Sequence, residues 1–278
     1  MIRELGALTH RELLRLARNP QAVGTSLLLP VLYLLLFGQA FNLSNIGGGV
    51  LPPQVFLDYF RGAPSYFSYF AAGMTGFVAV TATLFIGANV IFDRLFGILK
   101  RTSASPANPA AIFGSRLVAG MIQPVALAFL VLGLAVALGH VGLSGLDVTA
   151  SVTVLGAVEI ILAIVILSAM FASLFLAIGF TIEQPQSYFA VVNLINLPVL
   201  LTSAALFPWG SMPAWFRTVA SYNPITLAVD VIRENLFAGA SGYYPDSSGV
   251  YLLGLLVWAL AIIVVATLLA RRALAPKV

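Results

Sequence analysis

Asp230 and Arg233 stand three residues apart in Phe207 to Gly239, a part-polar stretch punctuated by proline and tryptophan. That spacing lets opposite charges meet on one face of a helix, so the chemistry on offer is an ion pair. Asn223 is a natural helix N-cap, Pro224 suits the first helical position and Gly239 suits a stop. Glu159 lies inside an apolar run, where a carboxylate is costly unless paired, protonated or facing water. Cation recognition, proton-sensitive gating and simple helix pairing all remain open for it. Asn89, Gln123, Asn193 and Asn196 also interrupt apolar runs, where interhelical hydrogen bonds explain most such residues. Asn193 and Asn196 are expected to share a face. Tyr33, Phe37 and Phe41 form a stripe that either lines an apolar substrate path or packs on a neighbour.

Groups for covalent chemistry are missing. The chain has no cysteine, which removes thiol nucleophiles and thiolate metal sites. Its two histidines, His10 and His140, are expected near opposite membrane faces, and no H-E-x-x-H pattern occurs. Neither a G-x-x-x-x-G-K-[ST] phosphate loop nor a G-x-S-x-G elbow is present. Energy for any transport must therefore come from another chain or a gradient.

Composition states what must hold these residues. The chain is 60% hydrophobic and 9% charged, whereas soluble domains carry about a quarter charged residues. An all-α polytopic membrane protein forming a single domain follows. Six runs reach the roughly 20 residues a spanning helix needs: 22–41, 67–92, 112–138, 148–180, 188–207 and 250–270. The first is read as a retained span, not a cleaved signal. Of the fourteen Lys and Arg, eleven cluster in three places: Arg3, Arg11, Arg15 and Arg18; then Arg94, Lys100, Arg101 and Arg116; then Arg271, Arg272 and Lys277. The positive-inside rule puts both termini in the cytoplasm and 208–249 on the outer face of the cell membrane. Short helices are expected there, lying on or dipping into the outer leaflet. Trp209 and Trp215 suit the headgroup zone. Residues 1–20 read as an amphipathic helix, an interfacial anchor that can also touch a cytoplasmic partner. Residues 93–109, with a charged start and Ser-Pro and Asn-Pro breaks, read as a compact cytoplasmic elbow.

Two segments resemble the membrane subunit of ABC type-2 exporters, the permease family of daunorubicin-resistance and polysaccharide-export type. In the elbow they are Asp93, Gly97-Ile98-Leu99 and Ser105-Pro106, with Asp in place of the commoner Glu and Ile98 in place of Thr. In the outer segment they are Phe207-Pro208, Pro213-Ala214-Trp215, Asn223-Pro224, Asp230 and Arg233. The resemblance implies a permease moving an amphipathic drug, lipid or lipid-linked glycan outward. It also implies a separate cytoplasmic ATPase that binds ATP and Mg, and a second permease copy or paralogue; no nucleic acid is involved. Coupling to the ATPase would fall to Asp93, Gly97, Leu99, Lys100, Arg101 and Pro106, with Arg11 and Arg15. The outer gate would comprise Phe207, Pro208, Trp215, Asn223, Pro224, Asp230 and Arg233, with Glu159, Asn193, Asn196, Tyr33 and Phe37 along the pathway. The rival readings are a gradient-driven transporter or channel and a multispan lipid-modifying enzyme.

Overall fold

The computed structural model describes residues 24, 28–36, 52–98, 109–140, 145–150, 152–238, 240 and 247–274. The expected 1–20 helix lies outside them, as do Leu99, Lys100, Arg101, Pro106, Arg11, Arg15, Phe37 and Gly239. The described residues form helices α1 (28–36), α2 (Pro53–Tyr59), α3 (Tyr66–Thr81), α4 (Leu84–Leu95), α5 (Pro109–His140), α6 (Val154–Thr181), α7 (Pro185–Leu201), α8 (Ala214–Ser221), α9 (Pro224–Leu236) and α10 (Ser248–Leu274). Small polar residues set several starts. Ser65 accepts from the Ser68 amide, Thr153 from Gly156 and Asn223 from Ile225, each cap contributing about 1 kcal/mol.

Four stretches are long and apolar enough to cross a membrane: Tyr66–Leu95, Phe113–Gly139, Val154–Thr181 and Ser248–Ala273. Residues 28–36 of the expected first span are helical. In the stretch of the expected fifth span, 188–207, the helix is the 17-residue α7, Pro185–Leu201. Its end is fixed by Asn223, whose side-chain amide donates to the Val199 carbonyl and to Thr202 Oγ1. The expected second span is two helices in line. At Thr83 the backbone bond tightens to the Val80 carbonyl, and the Thr83 hydroxyl donates to the same carbonyl at 2.6 Å. The fourth span starts at Val154 instead of 148, because Thr153 caps it.

Helix α6 is the hub, packing against α3, α4, α5, α9 and α10. Helix α9 is enclosed by α3, α6 and α10, with Ile225 through Arg233 all buried. The expected outer helices therefore divide: α9 is inserted among the long helices, whereas α8 exposes Trp215 and Val219. Helices α4 and α6 meet where Gly87 faces Gly179. A Cβ on Gly179 would collide with the Gly87 backbone, and one on Gly87 with the Phe175 carbonyl and the Tyr188 ring. Small residues permit this approach, and dispersion between the two backbones is what it gains. Gly179→Ala is expected to destabilise the protein by about 1–3 kcal/mol through overpacking. Thermal unfolding in detergent would read this, and an unchanged midpoint would show that the crossing tolerates a methyl group.

Candidate functional site

Charged side chains gather at the two ends of the α3–α4 rod. At the Tyr66 end, the turn after α2 puts Arg61 in the left-handed region at φ +49°, a conformation costing an L-residue about 1–2 kcal/mol. That turn carries the Arg61 guanidinium to 2.8 Å from Asp230 Oδ2, with its carbon 3.3 Å from the centre of the Trp209 ring. Asp230 is 3.7 Å from Arg233 Nη1. The local pairing expected from the i, i+3 spacing thus exists, but the closer partner of Asp230 is 169 residues away.

Arg233 is fully buried and its hydrogen bonds go to backbone. Nη1 donates to the Ala204 carbonyl at 2.9 Å, and Nη2 to Tyr69 and Ala205 at 3.0 and 3.3 Å. Its guanidinium carbon lies 3.5 Å from the centre of the Tyr69 ring. The Tyr69 hydroxyl reaches the carbonyls of Ala204 and Phe207, and Thr226 Oγ1 accepts from the Ala204 amide. Residues 202–208 follow α7 as non-helical chain. Ser203, Ala204 and Ala205 are buried there, so their backbone polar groups need partners within the protein, and side chains from α3 and α9 supply them. Each charged hydrogen bond of this kind is worth about 1.5–3 kcal/mol.

Glu159 lies in the second turn of α6, closer to the helix start than the earlier boundary implied. Its Oε2 accepts from the Asn235 side chain at 3.0 Å, so it pairs with α9. Neighbouring Glu234 has its carboxyl held above the ordinary range by burial. The Ser248 amide opposes that rise, and the charges of Glu159 and Asp230 add to it.

At the Leu95 end, Arg116 Nη2 lies 2.8 Å from Asp93 Oδ2, and the Asp93 side chain is wholly buried. Asp93 is thus enclosed by the fold, and its pairing with Arg116 ties α4 to α5. Arg94 donates to the carbonyls of Phe180 and Ile182, tying α4 to the end of α6. Gly97 follows at φ +70° with open space around it, so its role is to turn the chain.

The pathway candidates do not converge. Tyr33 packs edge-on against Phe77, Asn193 is exposed, and Asn196 is buried with its Oδ1 meeting no donor among the described residues. Asn193 and Asn196 therefore do not share an environment. Phe207 and Trp215 are exposed, and Pro208 is half-buried. Asn223 and Pro224 begin α9 as expected. Arg61, Tyr69, Arg94 and Arg116 were missed as site residues; for the three arginines the available signal was simply their charge in a chain that is 9% charged. Among the described residues no group of three His, Asp or Glu side chains could hold a metal ion.

Comparison with known proteins adds a family. A family described as ABC-2 type transporter matches residues 3–237. "Putative transport permease ycf38" of Porphyra purpurea is 28% identical over 235 residues, covering 84% of this chain and 74% of its own. "Probable doxorubicin resistance ABC transporter permease protein DrrC" of Mycobacterium tuberculosis is 28% identical over 257 residues, covering 92% and 83%. "Daunorubicin resistance ABC transporter permease protein DrrB1" of Streptomyces coeruleorubidus is 25% identical over 240 residues, covering 85% and 76%.

Two outcomes follow from the geometry. Asp230→Asn leaves two buried guanidiniums without their carboxylate and is expected to cost about 3–5 kcal/mol, with Arg233→Lys also damaging because an ammonium cannot span three carbonyls. Equal thermal stability of Asp230→Asn and the native chain would refute the buried ion cluster. Glu234→Gln tests the raised carboxyl. A folded-state pKa above the unfolded one gives stability that is present below the ordinary value of 4.5 and lost as pH rises through the folded value. Glu234→Gln is therefore expected to gain stability relative to the native chain as pH rises from that value toward neutrality. Parallel unfolding curves across that range would contradict the assignment.

Proposed function

The chain belongs to the ABC-2 type transporter family as a membrane permease, and we propose that it carries an amphipathic substrate outward in an exporter driven by a separate ATPase subunit. The observation that carries this reading is the family match across residues 3–237. The family's permeases have no catalytic site of their own, which sets aside the lipid-modifying enzyme. ATP and Mg belong to the ATPase partner in this reading. A drug, a lipid or a lipid-linked glycan fits as cargo; the names of the doxorubicin- and daunorubicin-resistance relatives favour the first.

The arrangement of charge supports an orientation. Arg94, Arg116, Arg271 and Arg272 belong to one end of the long helices, and Arg61, Arg217 and Arg233 to the other. By the positive-inside rule the first end faces the cytoplasm, both termini with it, and the 208–249 cap faces outward. In this reading the 93–109 elbow, with Leu99, Lys100, Arg101 and Pro106, binds the ATPase, and Arg11 and Arg15 contribute to coupling. Asp93 supports the elbow from within by holding Arg116. Exposed leucines on α1 (Leu28, Leu32, Leu36) and α7 (Leu194, Leu197, Leu201) suit burial against a second permease copy or a paralogue.

Charge reversal at Lys100 and Arg101 is expected to weaken co-purification of the ATPase and to uncouple substrate-stimulated ATP hydrolysis, while membrane insertion stays intact. Gly97→Ala, forced to hold positive φ, should act in the same direction by misdirecting the elbow. ATPase recovery and transport at native levels in both variants would remove the elbow from the coupling path. Substrate efflux that persists without ATP would favour a gradient-driven transporter.

A further inference from the structure

Two contacts fix how the α8–α9 hairpin lies along α10. The Trp258 indole donates to the Tyr222 carbonyl at 3.1 Å, next to the start of α9. At the other end of α9, the Ser248 amide faces the Glu234 carboxyl. Helices α9 and α10 therefore run antiparallel, and the α8–α9 turn stands about 15 Å along α10 from Ser248. The 27 residues of α10 rise about 40 Å against about 30 Å of hydrocarbon. Whichever end carries the excess, the level of Trp258 falls inside the hydrocarbon layer. A cleft of about 730 Å³ lies there between the hairpin and α10, with Tyr222 and Trp258 in its lining. Val250, Gly254, Val257 and Ala261 form its α10 wall at i, i+4, i+7 and i+11, one face of the helix. Leu227 and Tyr251, both buried, also line it. Val250 and Val257 are exposed, so the cleft opens sideways from the bundle, and the same face of α10 continues through exposed Val264 and Leu268.

Depth and lining together name the occupant. The two charged lining residues, Arg61 and Asp230, pair with each other at 2.8 Å and sum to zero, so the cleft selects no headgroup by charge. The Trp258 indole and the Tyr222 carbonyl already satisfy one another. What remains is an apolar groove at hydrocarbon depth, with Gly254 and Ala261 giving its wall little bulk. From Val250 to Ala261 the wall rises about 16 Å, roughly half of the hydrocarbon thickness. An empty groove forfeits dispersion contacts along its lining, and a hydrocarbon chain restores them. We propose that the cleft holds one acyl chain of a surrounding phospholipid, of whatever headgroup, packed between the α8–α9 hairpin and α10. That acyl chain is part of the packing of the fold and not the transported cargo. The inference rests on the protein being a membrane permease, and neither on the direction of transport nor on the identity of the ATPase.

The test uses the full protein in nanodiscs, without nucleotide or ATPase, so that its outcome is separate from that of the coupling experiments. The probe is phosphatidylcholine with a photoreactive diazirine in one acyl chain, and cross-links are mapped by mass spectrometry. Lipid that merely surrounds the bundle reaches exposed Val264 and Leu268 but not buried Leu227 and Tyr251. Cross-links are expected at all four positions, and in the same pattern when the probe is phosphatidylglycerol. Gly254→Leu should abolish those at Leu227 and Tyr251 and keep those at Val264 and Leu268. A Cβ at Gly254 already touches Leu227 Cδ1 at 3.4 Å, and the rest of the side chain must enter the groove. Ala261→Leu, further along the wall, gives a second block if Gly254→Leu fails to fold. Cleft labelling that survives a folded blocking variant, or that only one headgroup gives, would overturn the proposal. Cross-links confined to Val264 and Leu268 would do the same, and would point to a second copy of the protein or a small molecule as the occupant.

Discussion

Backbone that leaves a helix inside a bilayer must find every hydrogen-bond partner within the protein. Buried backbone faces the same demand, and the rest of this fold is arranged around one buried departure from helix, at residues 202–208. Arg233 holds three carbonyls from inside the bundle, Tyr69 reaches two more positions with its hydroxyl, and Thr226 takes an amide. Arg233 is in turn balanced by Asp230, and Asp230 by Arg61. A guanidinium is suited to this place because its donors are planar and fixed, and because it does not lose its charge on burial. The short helix α9 is buried because it brings these side chains to the broken segment. Its apolar residues fill the space between α3, α6 and α10, so packing and backbone satisfaction are achieved by the same thirteen residues.

The opposite end solves a different problem with similar parts. Asp93 and Arg116 join α4 to α5, and Arg94 caps the last carbonyls of α6. Free carbonyls at a helix end attract a cation, and Arg94 supplies it from a neighbouring helix. Buried charges at both ends of the same rod leave its middle almost wholly apolar. A chain with 9% charged residues spends many of those it has on internal structure. Part of the excess of basic residues therefore serves the fold, although the same residues also supply the asymmetry from which orientation is argued.

Much of this was legible from local pattern. Four of the apolar runs correspond to long apolar helices, and Asn223-Pro224 marked the start of α9 through cap chemistry alone. The spacing of Asp230 and Arg233 announced a pair. Spacing along a helix, however, carries no information about a partner elsewhere in the chain. That is why Arg61 and Tyr69, which lie more than 160 residues from Asp230 and Arg233, were not anticipated as partners. The same limit hid the pairing of Asp93 with Arg116, 23 residues further along the chain. Hydropathy likewise ignores caps, so the start of α6 and the end of α7 moved once Thr153 and Asn223 were in place.

The tightened turn at Thr83 has a mechanical meaning. Tightened stretches inside a long helix often mark hinges, and this one divides a rod clamped at both ends. The Tyr69 half is fastened to the cap and the Arg94 half to the far loops. A continuous helix would carry a bending moment from one clamp to the other, whereas a jointed strut passes thrust along its length and little torque. The Gly87–Gly179 contact lies on the α4 side of that joint, and the Tyr69 carbonyl that accepts from Arg233 lies on the α3 side. The ion pair at one end and the hydrogen bonds at the other are thereby held on separate segments of the rod.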